Sequence, residues 1–181
     1  MRNDSAHTDD ITIGEESTAQ YVRPGLTIGH MIPDFRLQST KHAEISPMDY
    51  KGRKNLIILF FDARSSADLS MLAEINRRYH EFADDNAEVL AVAAEPLEEF
   101  ESCTGSLHLQ FPLLSDVRRE ATCAYCVLGT MIFVSDRFGE LKMQSELTEA
   151  NLDEVLDKAV STLDLIELEC PECGVSTWPM E

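Results

Sequence analysis

Asn55-Leu56-Ile57-Ile58-Leu59-Phe60-Phe61-Asp62-Ala63-Arg64-Ser65-Ser66-Ala67-Asp68-Leu69 is the stretch on which the fold turns. From Leu56 to Phe61 the chain is apolar without alternation, which suits a strand covered on both faces in a parallel sheet. After the polar loop, Leu69, Leu72, Ile75, Tyr79 and Phe82 recur at spacings of three and four. That stripe predicts one amphipathic helix ending near Asp84-Asp85-Asn86. A second buried strand is expected over Glu88 to Ala94.

Further toward the C-terminus, Pro96 opens a short helix that Gly105 ends, and Phe111-Pro112-Leu113-Leu114 supplies a short extended piece. Arg118 to Cys126 reads as another short helix. Thr130 to Val134 and Leu141 to Leu147 read as a hairpin around Asp136-Arg137-Phe138-Gly139, with Gly where a positive φ is required. Leu152, Val155, Leu156, Ala159, Val160 and Leu163 mark a closing helix. Toward the N-terminus, Phe35-Arg36-Leu37-Gln38 alternates like a short edge strand. Residues 1–22 are polar and acidic and are expected to be a disordered arm, with a single domain over 23–166 and a tail over 167–181. The element order predicts an α/β fold of the thioredoxin-like kind, a mixed central sheet with helices on both faces.

The chain has 181 residues, 44% of them hydrophobic, enough for a sizeable core without metals or disulfides. Fifteen Lys and Arg against 33 Asp and Glu give a formal charge of −18. Such a surface repels phosphate backbones and anionic headgroups, so neither nucleic acid nor membrane is an expected partner. The longest apolar run, Leu56 to Phe61, is far below the roughly 20 residues of a membrane span, and the N-terminus lacks an apolar signal stretch. A cytoplasmic location is the expectation. The odd count of five cysteines includes two C-x-x-C pairs, which in a reducing compartment points to redox or metal chemistry.

Several segments resemble the alkyl hydroperoxide reductase/thiol-specific antioxidant family, the peroxiredoxin-like branch of the thioredoxin fold. They are Ile32-Pro33-Asp34-Phe35-Arg36-Leu37, Asp49-Tyr50-Lys51-Gly52-Arg53, the strand Leu56 to Phe61, Glu88-Val89-Leu90-Ala91-Val92 and Phe111-Pro112-Leu113-Leu114-Ser115-Asp116, followed by Ala124-Tyr125 and by Ile132-Phe133-Val134 leading to Asp136 and Gly139. The resemblance spans roughly residues 26 to 165. It implies a site of the form P-x-x-x-T-x-x-C at the end of the first core strand, with the cysteine in the first turn of a helix, where the dipole and an Arg lower its pKa. Matched residue by residue, Asp62 stands at the Pro position, Ser66 at the Thr position and Leu69 at the peroxidatic cysteine position. The Arg that the family places two residues before a later Thr falls at Leu128, before Thr130. Ordinary peroxidatic catalysis is therefore not expected. Arg64 in the same loop is a candidate substitute cation, and Ser65 or Ser66 can cap the helix and turn its first N–H groups toward an anion or carbonyl oxygen.

The cysteines carry the remaining chemistry. Cys170-Pro171-Glu172-Cys173-Gly174 has the form of a zinc knuckle, two thiolates presented by a tight turn. A tetrahedral site needs two more ligands, for which Cys123-Ala124-Tyr125-Cys126 is the candidate source. The alternative is thiol–disulfide exchange, with Cys170 and Cys173 as the redox pair, aided by Cys123 and Cys126 and served by a thiol reductant such as thioredoxin. Glu167, Glu169 and Glu172 around the knuckle raise thiol pKa and slow such a nucleophile. The five histidines lack metal-ligand spacing. Two functions follow. One is a thiol-dependent oxidoreductase or antioxidant protein of the redoxin type. The other is a non-catalytic binding or regulatory protein on the same scaffold, with the C-terminal cysteines as a zinc clasp or as the lock of a homodimer.

Overall fold

The computed structural model describes residues 25–41 and 44–168. The acidic arm expected over 1–22 and the tail cysteines Cys170 and Cys173 lie outside the described residues. Seven strands form one sheet: β1 (Leu37–Ser39), β2 (Glu44–Ile45), β3 (Asn55–Phe60), β4 (Ala87–Ala93), β5 (Leu113–Ser115), β6 (Met131–Ser135) and β7 (Leu141–Glu146). Their spatial order is β2-β1-β5-β4-β3-β6-β7. β3, β4 and β5 run parallel, while β6, β7, β1 and β2 add antiparallel margins. Five helices pack on this sheet: α1 (Ser66–Arg77), α2 (Tyr79–Asp84), α3 (Leu97–Thr104), α4 (Glu120–Ala124) and α5 (Leu152–Leu168). No helix among the described residues is long and apolar enough to cross a membrane.

All six residues of β3 are buried, as continuous apolarity requires of a strand covered twice. Alternate side chains feed two cores. Ile57 and Leu59 join Leu72, Ile75, Phe82, Leu156 and Leu163 under α1, α2 and α5. Leu56, Ile58 and Phe60 join Phe133 and Tyr125 beneath α4 and the N-terminal segment. Tyr125 is the keystone of this thinner layer: its ring lies 5.1 Å from both Phe60 and Phe133 and 5.9 Å from Phe35. Its hydroxyl donates to the Pro33 carbonyl at 2.8 Å, so the aromatic body and the polar tip are both satisfied.

Two expectations need correction. Residues 35–38 do not form an edge strand, because β1 lies between β5 and the two-residue β2, which is too short to show any periodicity. The predicted single helix over residues 69–82 is two helices, interrupted at Arg78 with φ −91° and ψ 4°. The apolar stripe continues through the break, so spacing alone hides it. Arg78, nearly buried, holds the corner by donating to Glu81 at 2.7 Å and to Asp157 of α5 at 2.8 Å.

Truncating Phe133 to Ala removes a fully buried ring from the aromatic layer and is expected to cost about 3–5 kcal/mol in chemical denaturation. A second expectation concerns charge. Burial and then Asp164, Glu167 and Asp84 raise the Asp85 carboxyl above its usual range. The folded state thus favours protonated Asp85, and its stabilising contribution, complete in acid, is lost as pH rises through the folded value. Asp85→Asn should therefore raise Tm at pH 7 and leave it unchanged near about pH 3, where Asp85 is protonated in both states.

Candidate functional site

Polar chemistry in a sheet of this kind gathers where parallel strands end and helices begin. β3 gives way to Phe61 and Asp62, and a tight loop carries the chain into α1. Asp62 organises that loop: its carbonyl accepts from Ser65 N at 3.1 Å and its carboxylate accepts from Arg64 N at 2.8 Å. Ser65, not Ser66, is the N-cap, its Oγ accepting from Asp68 N at 3.2 Å.

Asp68 is the centre of the arrangement. Only 8% of it is exposed, in the first turn of α1. Its Oδ1 accepts from Ser65 Oγ at 2.9 Å, and its Oδ2 accepts from Asp62 N at 2.9 Å and from the Thr130 hydroxyl. A carboxylate at a helix N-terminus is favoured by the dipole, and here it receives three donors besides. The anion position for which the sequence left room is thus filled by the chain's own side chain.

Around this point lies a cleft of about 450 Å³, walled by the end of β3, the segment after β4 and α4. Asp62, Arg64, Ser65, Asp68, Glu95 and Arg119 supply its charged and capping groups, with Thr122 and Thr130 beside them. Of the three residues matched to the family motif, Asp62 lines the cleft, whereas Ser66 and Leu69 do not. Leu69 packs against the larger apolar core. Their chain neighbours Ser65 and Asp68 face the cleft instead. Leu128, at the family's Arg position, is 84% exposed and contributes nothing to the lining. Arg64, the candidate substitute cation, turns outward to Glu99 at 2.9 Å and stands 3.8 Å from Glu95.

No described cysteine lines the cleft. Cys123 is exposed on α4, and Cys126, half-buried, follows one turn later with φ 54°. Their immediate neighbours Thr122 and Val127 both line the cleft, so the pair lies between two lining residues. Cys103 lies apart on α3. Among the described residues no three His, Cys, Asp or Glu side chains come together as a metal site. A second cleft of about 520 Å³, between the end of β1 and α3, contains His108 and Lys41 but no carboxylate or thiol.

Sequence reasoning missed Asp68, Glu95 and Arg119. Asp68 had a local signal, since Ser65-Ser66-Ala67-Asp68 has capping-box spacing. Glu95 and Arg119 reach the cleft only through the sheet topology and have no local signature.

A mixed sheet of this order, with a helix starting at the end of the parallel strand β3, is a thioredoxin-like fold. The AhpC/TSA family model matches residues 28–161, and the chain belongs to that family. It is 27% identical over 142 residues to alkyl hydroperoxide reductase E of Mycobacterium tuberculosis, covering 70% of this chain and 93% of that protein. Its fold is shared with peroxidoxin BcpB of Mycobacterium tuberculosis, at a TM-score of 0.68 and 18% identity over 77% of this chain and 97% of that one. The thioredoxin domain of a thiol-disulfide oxidoreductase from Bacteroides vulgatus superposes at a TM-score of 0.63 and 20% identity, over 75% and 99% of the two chains.

Asp68→Ala leaves the Asp62 N–H and the half-buried Ser65 and Thr130 hydroxyls without their shared acceptor, and is expected to cost about 1–3 kcal/mol in urea denaturation. Leu69→Ala, by contrast, should affect stability while leaving the lining of the cleft unchanged, as probed by amide chemical shifts of Ser65 and Thr130.

Proposed function

We propose that this chain is a thiol-dependent oxidoreductase of the redoxin type that exchanges electrons through its C-x-x-C cysteines and not through a sulfur at the head of α1. The observation that carries this reading is the placement of Cys123, exposed on α4 with Cys126 one turn on and cleft-lining residues at both ends of the pair. Membership of the AhpC/TSA family supports thiol chemistry as the class. In the exchange, the exposed Cys123 thiolate attacks a substrate disulfide, and one substrate thiolate leaves. Cys126 then attacks the mixed disulfide and expels the second substrate thiol. The substrate gains two electrons and the pair becomes a disulfide, which a dithiol reductant of the thioredoxin kind returns to two thiols. Cys170 and Cys173 are the second pair capable of the same exchange, and the acidic residues beside them slow it.

A second reading is favoured by Asp68. A carboxylate held by three donors in the first helical turn is neither a nucleophile toward peroxide nor replaceable by an incoming anion without cost. On that reading the scaffold binds or regulates, and Cys170 and Cys173 form a zinc clasp or join two copies of the chain.

Reduction of insulin disulfides by the full chain, with dithiothreitol as electron donor, separates the two. The oxidoreductase reading expects turnover that falls at least tenfold in Cys123→Ser or in Cys170→Ser, whichever pair carries the exchange. Turnover no faster than dithiothreitol alone, or unchanged in a chain with all four cysteines replaced, would overturn it. The clasp reading instead expects one zinc in the native intact mass, lost on denaturation with every thiol free.

A further inference from the structure

We propose that the cleft at the head of α1 binds a small zwitterion, with its ammonium group on the Glu95 carboxylate and its own carboxylate on Arg119. The inference goes beyond thiol exchange, since it involves no cysteine and stands or falls separately.

Glu95 is the first observation. Its side chain is only 9% exposed, it lines the cleft, and its Oε2 is buried without a hydrogen-bond partner. Arg64 Nε stands 3.8 Å from the other oxygen, beyond hydrogen-bond reach, and the Arg64 guanidinium is engaged with Glu99 at 2.9 Å. A buried carboxylate oxygen without a donor is costly, and a ligand N–H relieves that cost.

Arg119 is the second. It lines the same cleft at the start of α4, and among the described residues no carboxylate pairs with its guanidinium. Its backbone is held in the left-handed region at φ 56°, with its N–H donating to Asp116 O at 2.8 Å. A bulky residue in that region carries a strain of about 1–3 kcal/mol, a feature that concentrates at ligand sites.

The remaining polar groups narrow the choice. The Thr130 hydroxyl donates to Asp68, and the Thr122 hydroxyl donates to Asp116 at 2.7 Å. The α1 terminus already has Asp68 as its anion. An incoming anion alone meets Asp62, Asp68 and Glu95, whereas an amine alone leaves Arg119 unanswered. One acceptor and one cation in a single cleft are both answered by a molecule carrying an ammonium and a carboxylate, as a free amino acid or a short peptide does.

Isothermal titration of the full chain with glycine, 4-aminobutyrate and glycylglycine presents the two charges at increasing separation. At least one of these should saturate a single site, with ethylamine and acetate binding at least tenfold more weakly. Glu95→Gln and Arg119→Met should each weaken that binding at least tenfold, and Lys41→Met in the other cleft should not. Arg119 is exposed, so its replacement tests the proposal even if Glu95→Gln fails to fold. No saturation by any of the three at about 10 mM would overturn the proposal. So would equal binding of either single-charge control, or affinity retained in Arg119→Met.

Discussion

Burial of β3 on both faces constrains everything else in this molecule. A strand with no exposed residue has no room for polar chemistry along its length, so that chemistry collects at its C-terminal end. There the chain must leave the sheet, start α1 and meet the first residues of β6 within one small volume. Asp68 joins the three: it takes the N–H of Asp62 at the strand exit, the hydroxyl of the cap Ser65, and the hydroxyl of Thr130 just before β6. One carboxylate thus fixes the loop, the helix start and the neighbouring strand relative to one another.

The three acidic residues of the cleft differ in what surrounds them. Asp62 is exposed and spends its carboxylate on its own loop, in an environment where water screens it. Asp68 is buried and fully bonded. Glu95 is buried and only half answered, by a guanidinium 3.8 Å away. A net charge of −18 therefore says little about this site, because the decisive quantity is the number of donors each carboxylate receives.

Much of the fold was legible in the sequence because its signals are strong and local. The apolar run of β3, the stripe of α5 and the glycine of the β6–β7 turn, with φ 91° at Gly139, all appear where spacing put them. The interruption at Arg78 was not legible, since it depends on a guanidinium shared with Asp157, 79 positions along the chain, while the apolar spacing runs on undisturbed. The site was legible only in part. Matching to the family motif placed Leu69 at the reactive position, yet the cap at Ser65 rotates α1 so that Asp68 faces the cleft and Leu69 the core. A helix advances about 100° per residue, so a shift of one residue in the cap changes which side chain meets the cleft.

The wall of the cleft formed by α4 links the thiol pair to the binding groups. This helix is five residues long, and left-handed residues stand at both its ends, Arg119 at 56° and Cys126 at 54°. Between the two cysteines, Tyr125 is fixed by three aromatic neighbours and by Pro33, and Thr122 is fixed by Asp116. Closure of a Cys123–Cys126 disulfide must therefore be accommodated around a pinned Tyr125 and a pinned Thr122, within the segment that Arg119 begins. Chemistry at the cysteines and occupancy beside Arg119 consequently draw on the same short segment of backbone.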